Sequence, residues 1–87
     1  MLKSLGMFET IDEPVRVFVD FHGRSVRPVA FVLRGRKYVL SKLNLVAESG
    51  IGPTKRYSFS VSDSGNTFTL VYNPFDLTWR LKDLYQE

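Results

Sequence analysis

The chain contains no cysteine and only one histidine, His22, among its 87 residues. Without cysteine, the fold has neither disulfides nor thiolate metal ligands, and a single histidine is too few for a zinc site built from protein ligands. The sequence therefore predicts no metal, no cofactor and no covalent cross-link, and packing alone must hold the core together.

The chain also lacks an apolar run approaching the roughly 20 residues that cross a membrane as a helix. Its first 13 residues do not form a secretory signal, because their apolar residues are scattered and lead into Glu9, Asp12 and Glu13. These absences predict a cytoplasmic protein without membrane contact. The length supports one small core, so we expect a single domain over 1–87, with 1–13 either mobile or covering a sheet edge.

Alternation of apolar and polar residues with a period of two is the strongest pattern present, and it occurs at 15–21, 57–62 and 77–82. This period is typical of half-buried antiparallel strands, and the glycine, proline and asparagine between such runs indicates hairpins. We expect strands at about 14–22, 26–34, 36–46, 55–63, 66–73 and 77–83. The predicted class is all-β, a six-stranded antiparallel meander forming a partly open barrel or a sandwich, with the barrel preferred.

Turn chemistry predicts the register of each hairpin. The expected turns are Gly23-Arg24-Ser25, Gly35-Arg36, Ser64-Gly65 and Pro74-Phe75. They pair Val19 with Val29, Phe31 with Leu40, Phe59 with Leu70, and Leu70 with Trp79, and they leave Ala47–Thr54 as the long connection between two meanders. The expected core comprises Val17, Val19, Val29, Phe31, Leu33, Tyr38, Leu40, Tyr57, Phe59, Val61, Phe68, Leu70, Trp79 and Leu81.

Positive charge is concentrated in the middle of the chain, where Glu48 is the one acid between positions 22 and 56. The predicted hairpin also places Arg34 opposite Lys37, a like-charge pair that favours an anionic partner. A basic stripe can follow a nucleic-acid backbone, although an ordinary solubilising surface is the alternative. The predicted nucleic-acid-binding residues are Arg24, Arg27, Arg34, Arg36, Lys37, Lys42, Lys55 and Arg56.

A second apolar face is predicted on the first meander, formed by Phe18, Ala30, Val32 and Val39. Such a face needs a cover, which is the Met7–Ile11 segment, the C-terminal tail or another protein chain. Left open, Phe18 flanked by arginines is a platform on which a nucleobase can stack. The tail itself, 82–87, is expected as either a strand or a short helical turn.

Catalysis has a weak basis in this sequence. Asp20, His22 and Ser25 lie near one predicted turn, but serine, histidine and aspartate form a catalytic triad only in a specific geometry, and no oxyanion or metal group accompanies them. We therefore predict a non-enzymatic β module, with accessory nucleic-acid binding as its function. The alternative is a structural or protein-interaction module that self-associates through the second apolar face.

The order of several short motifs resembles an uncharacterised bacterial family of small all-β domains of unknown function. The motifs are Arg27-Pro28-x-Ala30-Phe31, Arg34-Gly35-Arg36-x-Tyr38, Arg56-Tyr57, Trp79-Arg80-Leu81 and Leu84-Tyr85. The resemblance spans about 27–85 and implies a small β domain. It implies no activity and no functional residues.

Overall fold

The computed structural model describes residues 6–86, which form one seven-stranded antiparallel sheet curled into a half-barrel. The strands are β1 (Met7–His22), β2 (Ser25–Leu33), β3 (Arg36–Val39), β4 (Lys42–Ser49), β5 (Arg56–Ser62), β6 (Asn66–Asn73) and β7 (Thr78–Gln86). Their order across the sheet is β3-β2-β1-β7-β6-β5-β4. The predicted all-β antiparallel class is confirmed, with seven strands in place of six.

The long first strand joins the two halves of the sheet. Its first half, Met7–Val15, pairs with β7, and its second half, Arg16–His22, pairs with β2. The preferred expectation, two meanders that curl into a partly open barrel, agrees with the half-barrel, and the structure adds that β1 joins the two halves into one continuous sheet. Residues 7–13 are part of a strand and do not cover the second face, whereas residues 1–5 lie outside the described part of the chain.

The predicted third strand, 36–46, divides into β3 and β4 at Leu40 and Ser41. Leu40 donates its backbone N–H to Val29 O at 2.9 Å, while Ser41 donates to Ser62 O at 2.9 Å on the far side of the sheet. This short crossing joins the two edge strands, β3 and β4, and links the two ends of the sheet. The predicted Ala47–Thr54 connection is shorter than expected because its first three residues extend β4.

The first hairpin turns through two residues, Gly23 and Arg24, in place of the predicted three-residue loop. His22 pairs with Ser25 across this turn. The extra residue sits instead in a β-bulge, where Val19 pairs with Pro28 while Phe18 pairs with Ala30. A bulge and a longer turn reset the alternation of side chains equally well, so the pattern alone does not separate them.

The β2–β3 turn is formed by Arg34 and Gly35, with φ of 53° and 81°. Positive φ at both central positions is the geometry whose twist matches the flanking strands. It pairs Phe31 with Tyr38 rather than with Leu40, and their rings stack at 4.9 Å. The expected opposition of Arg34 and Lys37 is therefore wrong, because Lys37 lies opposite Val32.

The β6–β7 connection, in contrast, is longer than the predicted two-residue turn. Asn73 Oδ1 accepts hydrogen bonds from the backbone N–H groups of Phe75 and Asp76 at 2.9 and 3.2 Å, and Asn73 O accepts one from Leu77 at 2.8 Å. These bonds stabilise a four-residue loop. The register moves by two, so Trp79 pairs with Tyr72.

The β5–β6 hairpin is confirmed as predicted. Val61 pairs with Phe68, Phe59 with Leu70 and Tyr57 with Tyr72, while serines and threonines pair on the other face. The buried core forms inside the curl from members of the predicted set: Phe31, Leu40, Phe59, Val61, Phe68, Leu70 and Leu81. The tail continues as a strand to Gln86, and Glu87 lies outside the described residues.

Candidate binding cleft

An open apolar cleft lies where the first hairpin extends past its neighbours. Pairing between β1 and β7 ends at Val15 and Trp79, whereas β1 continues seven residues further, to His22, and pairs there with β2 alone. The edge of β1 that pairs with β7 up to Val15 therefore has no strand partner in this overhanging hairpin. The inner face of the hairpin looks across an open space at the ends of β5, β6 and β7 that carry Tyr57, Tyr72 and Trp79.

The cleft has a volume of about 690 Å³. Its lining residues are Val17, Val19, Phe21, Val26, Tyr57, Phe59, Tyr72, Leu77 and Trp79. Trp79 packs against Tyr72 and Phe59, with ring centroids 4.8 and 5.3 Å away, and this cluster forms the floor. Phe21 and Leu77, which both line the cleft, are 74% and 72% exposed. The cleft therefore combines an aromatic floor with two exposed apolar side chains.

A pair of opposite charges lies outside the cleft lining, next to Tyr57. Lys55 Nζ lies 2.7 Å from Glu48 Oε1 and 5.6 Å from the centroid of the Tyr57 ring. The hydrogen bond to Glu48 and its negative charge raise the pKa of Lys55 above its ordinary value. Lys55 thus stays protonated, but its charge is already partnered within the chain.

Three of the predicted nucleic-acid-binding residues lie beside carboxylates. Besides Lys55, Arg34 binds Glu13 through Nε at 3.0 Å and through Nη2, and Arg27 Nη2 lies 4.0 Å from Asp20. The hydrogen bond from Arg34 holds the pKa of Glu13 below its ordinary value. These pairs neutralise part of the charge that the sequence assigns to the middle segment.

The other predicted basic residues are spread over the inner face, the outer face and the turns. Arg36 lies 5.1 Å from the Tyr38 ring on the inner side, and Lys37 lies 5.0 Å from the Phe18 ring on the outer side. Arg24 lies in the first turn, Lys42 begins β4, and Arg56 Nη1 donates to the carbonyls of residues 53 and 55. The fold does not align the eight cations in a single stripe.

The predicted apolar interface residues lie side by side on the outer face. Phe18 pairs with Ala30 and Ala30 with Val39, while Val32 occupies the next row beside Lys37. Ala30 is buried, whereas Phe18 and Val39 are exposed and form a small patch. The ammonium group of Lys37 lies over the Phe18 ring and places a positive charge at the edge of this patch.

The candidate catalytic residues Asp20, His22 and Ser25 all border one hollow of about 270 Å³ at the hairpin. Within residues 6–86 no side-chain hydrogen bond joins them, and all three are exposed. The geometry thus assembles neither a nucleophile with its base nor a base with an orienting group. Over the same residues, no cluster of three His, Cys, Asp or Glu side chains is placed to hold a metal ion, and no helix is long and apolar enough to cross a membrane.

A second concave surface, which the sequence analysis missed, lies on the outer face. This outer groove of about 370 Å³ is lined by Thr10, Asp12, Ser49, Arg56, Ser58, Val71, Arg80 and Lys82. Bulges in β1 and β7 place Asp12 and Lys82 at the same level, and Arg80 donates to Asp12 Oδ1 at 2.8 Å. The sequence pattern that could have indicated this groove is the alternation in β7, which puts residues 78, 80 and 82 on the outer face. These residues lie outside the basic middle of the chain.

No family model, curated protein or solved structure matches this chain. The resemblance to a small bacterial β family therefore stays a prediction.

Proposed function

We propose that this protein is a non-catalytic protein-interaction module that binds an extended apolar segment of a partner in the cleft above Trp79. The observation that carries the proposal is the open, uncharged cleft with Phe21 and Leu77 exposed in its lining. Burying one such side chain fully is worth about 1.5–3 kcal/mol, so two exposed apolar side chains and an aromatic floor provide substantial binding energy for apolar groups.

The backbone beside the cleft favours an extended ligand. His22 and Ser25 flank a two-residue turn, so they form a hydrogen-bonded pair, and the next residue, Val26, directs its backbone groups away from β1. Pro28, two residues further, has no N–H to leave unpaired on that side. A partner strand can hydrogen bond to Val26 while alternate side chains enter the cleft.

A peptide-display selection tests this function directly. We expect wild-type protein to enrich peptides with apolar residues at alternate positions, and the fluorescence of Trp79, the only tryptophan, to report their entry. A Phe21→Ser/Val26→Ser double variant removes apolar contacts at exposed positions, so it retains the fold and loses binding. Phe75→Ser, an exposed loop change outside the cleft lining, is the matched control.

The result against this function is equally specific. Peptides that bind the double variant as tightly as wild type would place recognition elsewhere. Failure to enrich any sequence pattern would also count against a peptide ligand.

A second candidate function is nucleic-acid binding along the outer groove. Three cations and three hydroxyl-bearing side chains converge there from β1, β4, β5 and β7, and such groups suit phosphate oxygens. One of the cations, Arg80, is paired with the Asp12 carboxylate in the same groove. This function shares Arg56 with the sequence-based hypothesis of nucleic-acid binding. Its other two cations, Arg80 and Lys82, were not among the predicted residues.

Fluorescence anisotropy with single-stranded and duplex oligonucleotides, measured over a range of salt concentrations, tests it. Phosphate binding releases counterions, so affinity should fall steeply as salt rises. Arg80→Gln/Lys82→Gln should weaken binding, whereas Arg34→Ala/Arg36→Ala/Lys37→Ala should not. The reverse ranking would return the site to the basic hairpin, and no binding at low salt would remove the function.

A further inference from the structure

The cleft continues into a side pocket at the tip of the first hairpin. This side pocket has a volume of about 390 Å³ and is lined by Arg24, Ser25, Val26, Leu43, Val46, Tyr57 and Phe59. Val26, Tyr57 and Phe59 also line the cleft, so the two spaces adjoin. The hairpin tip forms one wall of the side pocket, and another wall includes β4, which is a free edge of the sheet within residues 6–86.

Arg24 is the one charged residue among those that line the cleft and the side pocket. The charges nearby are already balanced, since Lys55 lies 2.7 Å from Glu48 and Arg27 lies 4.0 Å from Asp20. Arg24, by contrast, makes no ion pair and no side-chain hydrogen bond within residues 6–86. An unpartnered guanidinium at the end of an apolar space favours a carboxylate on a ligand that is otherwise apolar.

Strand geometry determines which end of a partner reaches Arg24. Val26 directs its backbone N–H and C=O away from β1, and β3 pairs with β2 only between Ala30 and Leu33. A partner strand antiparallel to β2 therefore lies next to Val26 and runs from the level of Pro28 toward the hairpin tip. Its C-terminal end comes out beside Arg24. A parallel strand would instead bring an N-terminal end, which is a cation, to the same arginine.

We propose that the ligand of the cleft is the C-terminal end of a partner chain, whose α-carboxylate binds Arg24. This carboxylate site rests on the peptide-binding function proposed for the cleft, and it names the part of the partner that binds. When the penultimate residue pairs with Val26, its side chain lies on the inner face in the cleft, and the terminal residue lies beside Ser25 and Arg24.

The geometry also gives the expected pattern at the partner's C-terminus. The penultimate residue is apolar, and further apolar residues occupy alternate positions before it, because alternate side chains share one face of a strand. Val17 and Phe21 both line the cleft and lie four residues apart, which is about 13 Å of strand. About five residues of the partner therefore take part.

One peptide in two chemical forms tests the carboxylate. The hexapeptide Val-Thr-Val-Ser-Leu-Ser is labelled with a fluorophore at its N-terminus and prepared with either a free C-terminal carboxylate or a C-terminal amide. In fluorescence anisotropy at low salt, we expect wild-type protein to bind the acid at least about tenfold more tightly than the amide, since the amide loses a charge-assisted hydrogen bond. Equal affinities would overturn the carboxylate site.

Arg24→Gln assigns the effect to one side chain. It should weaken binding of the acid about tenfold and leave binding of the amide unchanged. Arg36→Gln removes the same charge at the start of β3 and should preserve the preference for the acid. Circular dichroism confirms that both variants fold. Equal losses of both peptide forms in Arg24→Gln would overturn the proposal, as would an amidated peptide ending in Asp that binds as tightly as the free acid.

Failure of the carboxylate site and failure of the cleft function give different results. If the acid and the amide bind equally well and both are lost in Phe21→Ser/Val26→Ser, the cleft binds peptides and the carboxylate site is wrong. No binding of either form at about 1 mM would also overturn the carboxylate site. The display selection then decides separately whether the cleft binds another peptide pattern.

Discussion

Arg34 and Glu13, 21 residues apart, form a bidentate ion pair that links the β2–β3 turn to the first strand. Arg34 Nε donates to Glu13 Oε1 at 3.0 Å, and Nη2 donates to the other carboxylate oxygen. Parallel bonds of this kind hold both groups in one geometry. Arg34 therefore acts within the fold, although its position in a basic run made it a candidate for binding an external anion.

This pair predicts a loss of stability in acid. The pKa of Glu13 is lowered in the folded protein, so its contribution is complete above the unfolded value and is lost as pH falls through the folded value. We expect the thermal midpoint of wild type to exceed that of Glu13→Gln near neutral pH. The gap should narrow as pH falls below about 4.5. A gap independent of pH would contradict the assigned charge interaction.

The stacked rings of Phe31 and Tyr38 predict a measurable coupling across β2 and β3. Both also pack edge-on against Phe68, at 4.9 and 5.8 Å. In a double-mutant cycle with Phe31→Leu and Tyr38→Leu, we expect a coupling of about 0.5–1.5 kcal/mol in the free energy of unfolding. Chemical denaturation measures it. Coupling to Leu40→Ala that exceeded coupling to Tyr38→Leu would favour the register expected from the sequence instead.

Two turn glycines should respond differently to alanine. Gly35 has φ of 81°, and a Cβ built there meets no atom within 4 Å, so the cost of alanine comes from the backbone. We expect Gly35→Ala to lower the free energy of unfolding by about 1–2 kcal/mol. Gly65 has no positive φ and equally open surroundings, so Gly65→Ala should leave stability unchanged or raise it by up to about 1 kcal/mol. Equal losses would argue against the assigned turn.

Asn73 predicts a local role for one polar side chain. Its Oδ1 accepts two backbone N–H groups of the following loop. Asn73→Ala removes the acceptor, so these two N–H groups bond to water instead and the side chain no longer stabilises the turn. We expect the free energy of unfolding to fall by about 1 kcal/mol. Asn44→Ala removes one exposed side-chain bond of 3.3 Å to Ser62, and its effect should stay within about 0.5 kcal/mol. The comparison fails if the Asn44 change costs more.

The sequence by itself determined which residues share the inner face. Alternation places Phe31, Phe59 and Leu81 inward, and all three are buried. It also determined the β5–β6 register, because the serine and threonine pairs and the apolar pairs agree on one short turn. Side chains of period two, combined with unambiguous local turn chemistry, are sufficient for these features.

Tertiary structure decided what a period of two leaves open. A register shift of two residues keeps every side chain on its face, so the pairing of Tyr38 with Phe31 and of Trp79 with Tyr72 depends on turn geometry. Bulges have the same effect on the pattern as longer loops.

The cleft and the free edge arise from contacts still more distant in the chain. Pairing of β1 with β7 ends at Val15, which leaves the first hairpin overhanging, and the crossing at Leu40 separates β4 from β3. Neither event has a local signal, because each depends on strands that meet only after the sheet has curled. The same apolar residues would fill a closed barrel, and only their three-dimensional arrangement leaves Phe21 and Leu45 exposed.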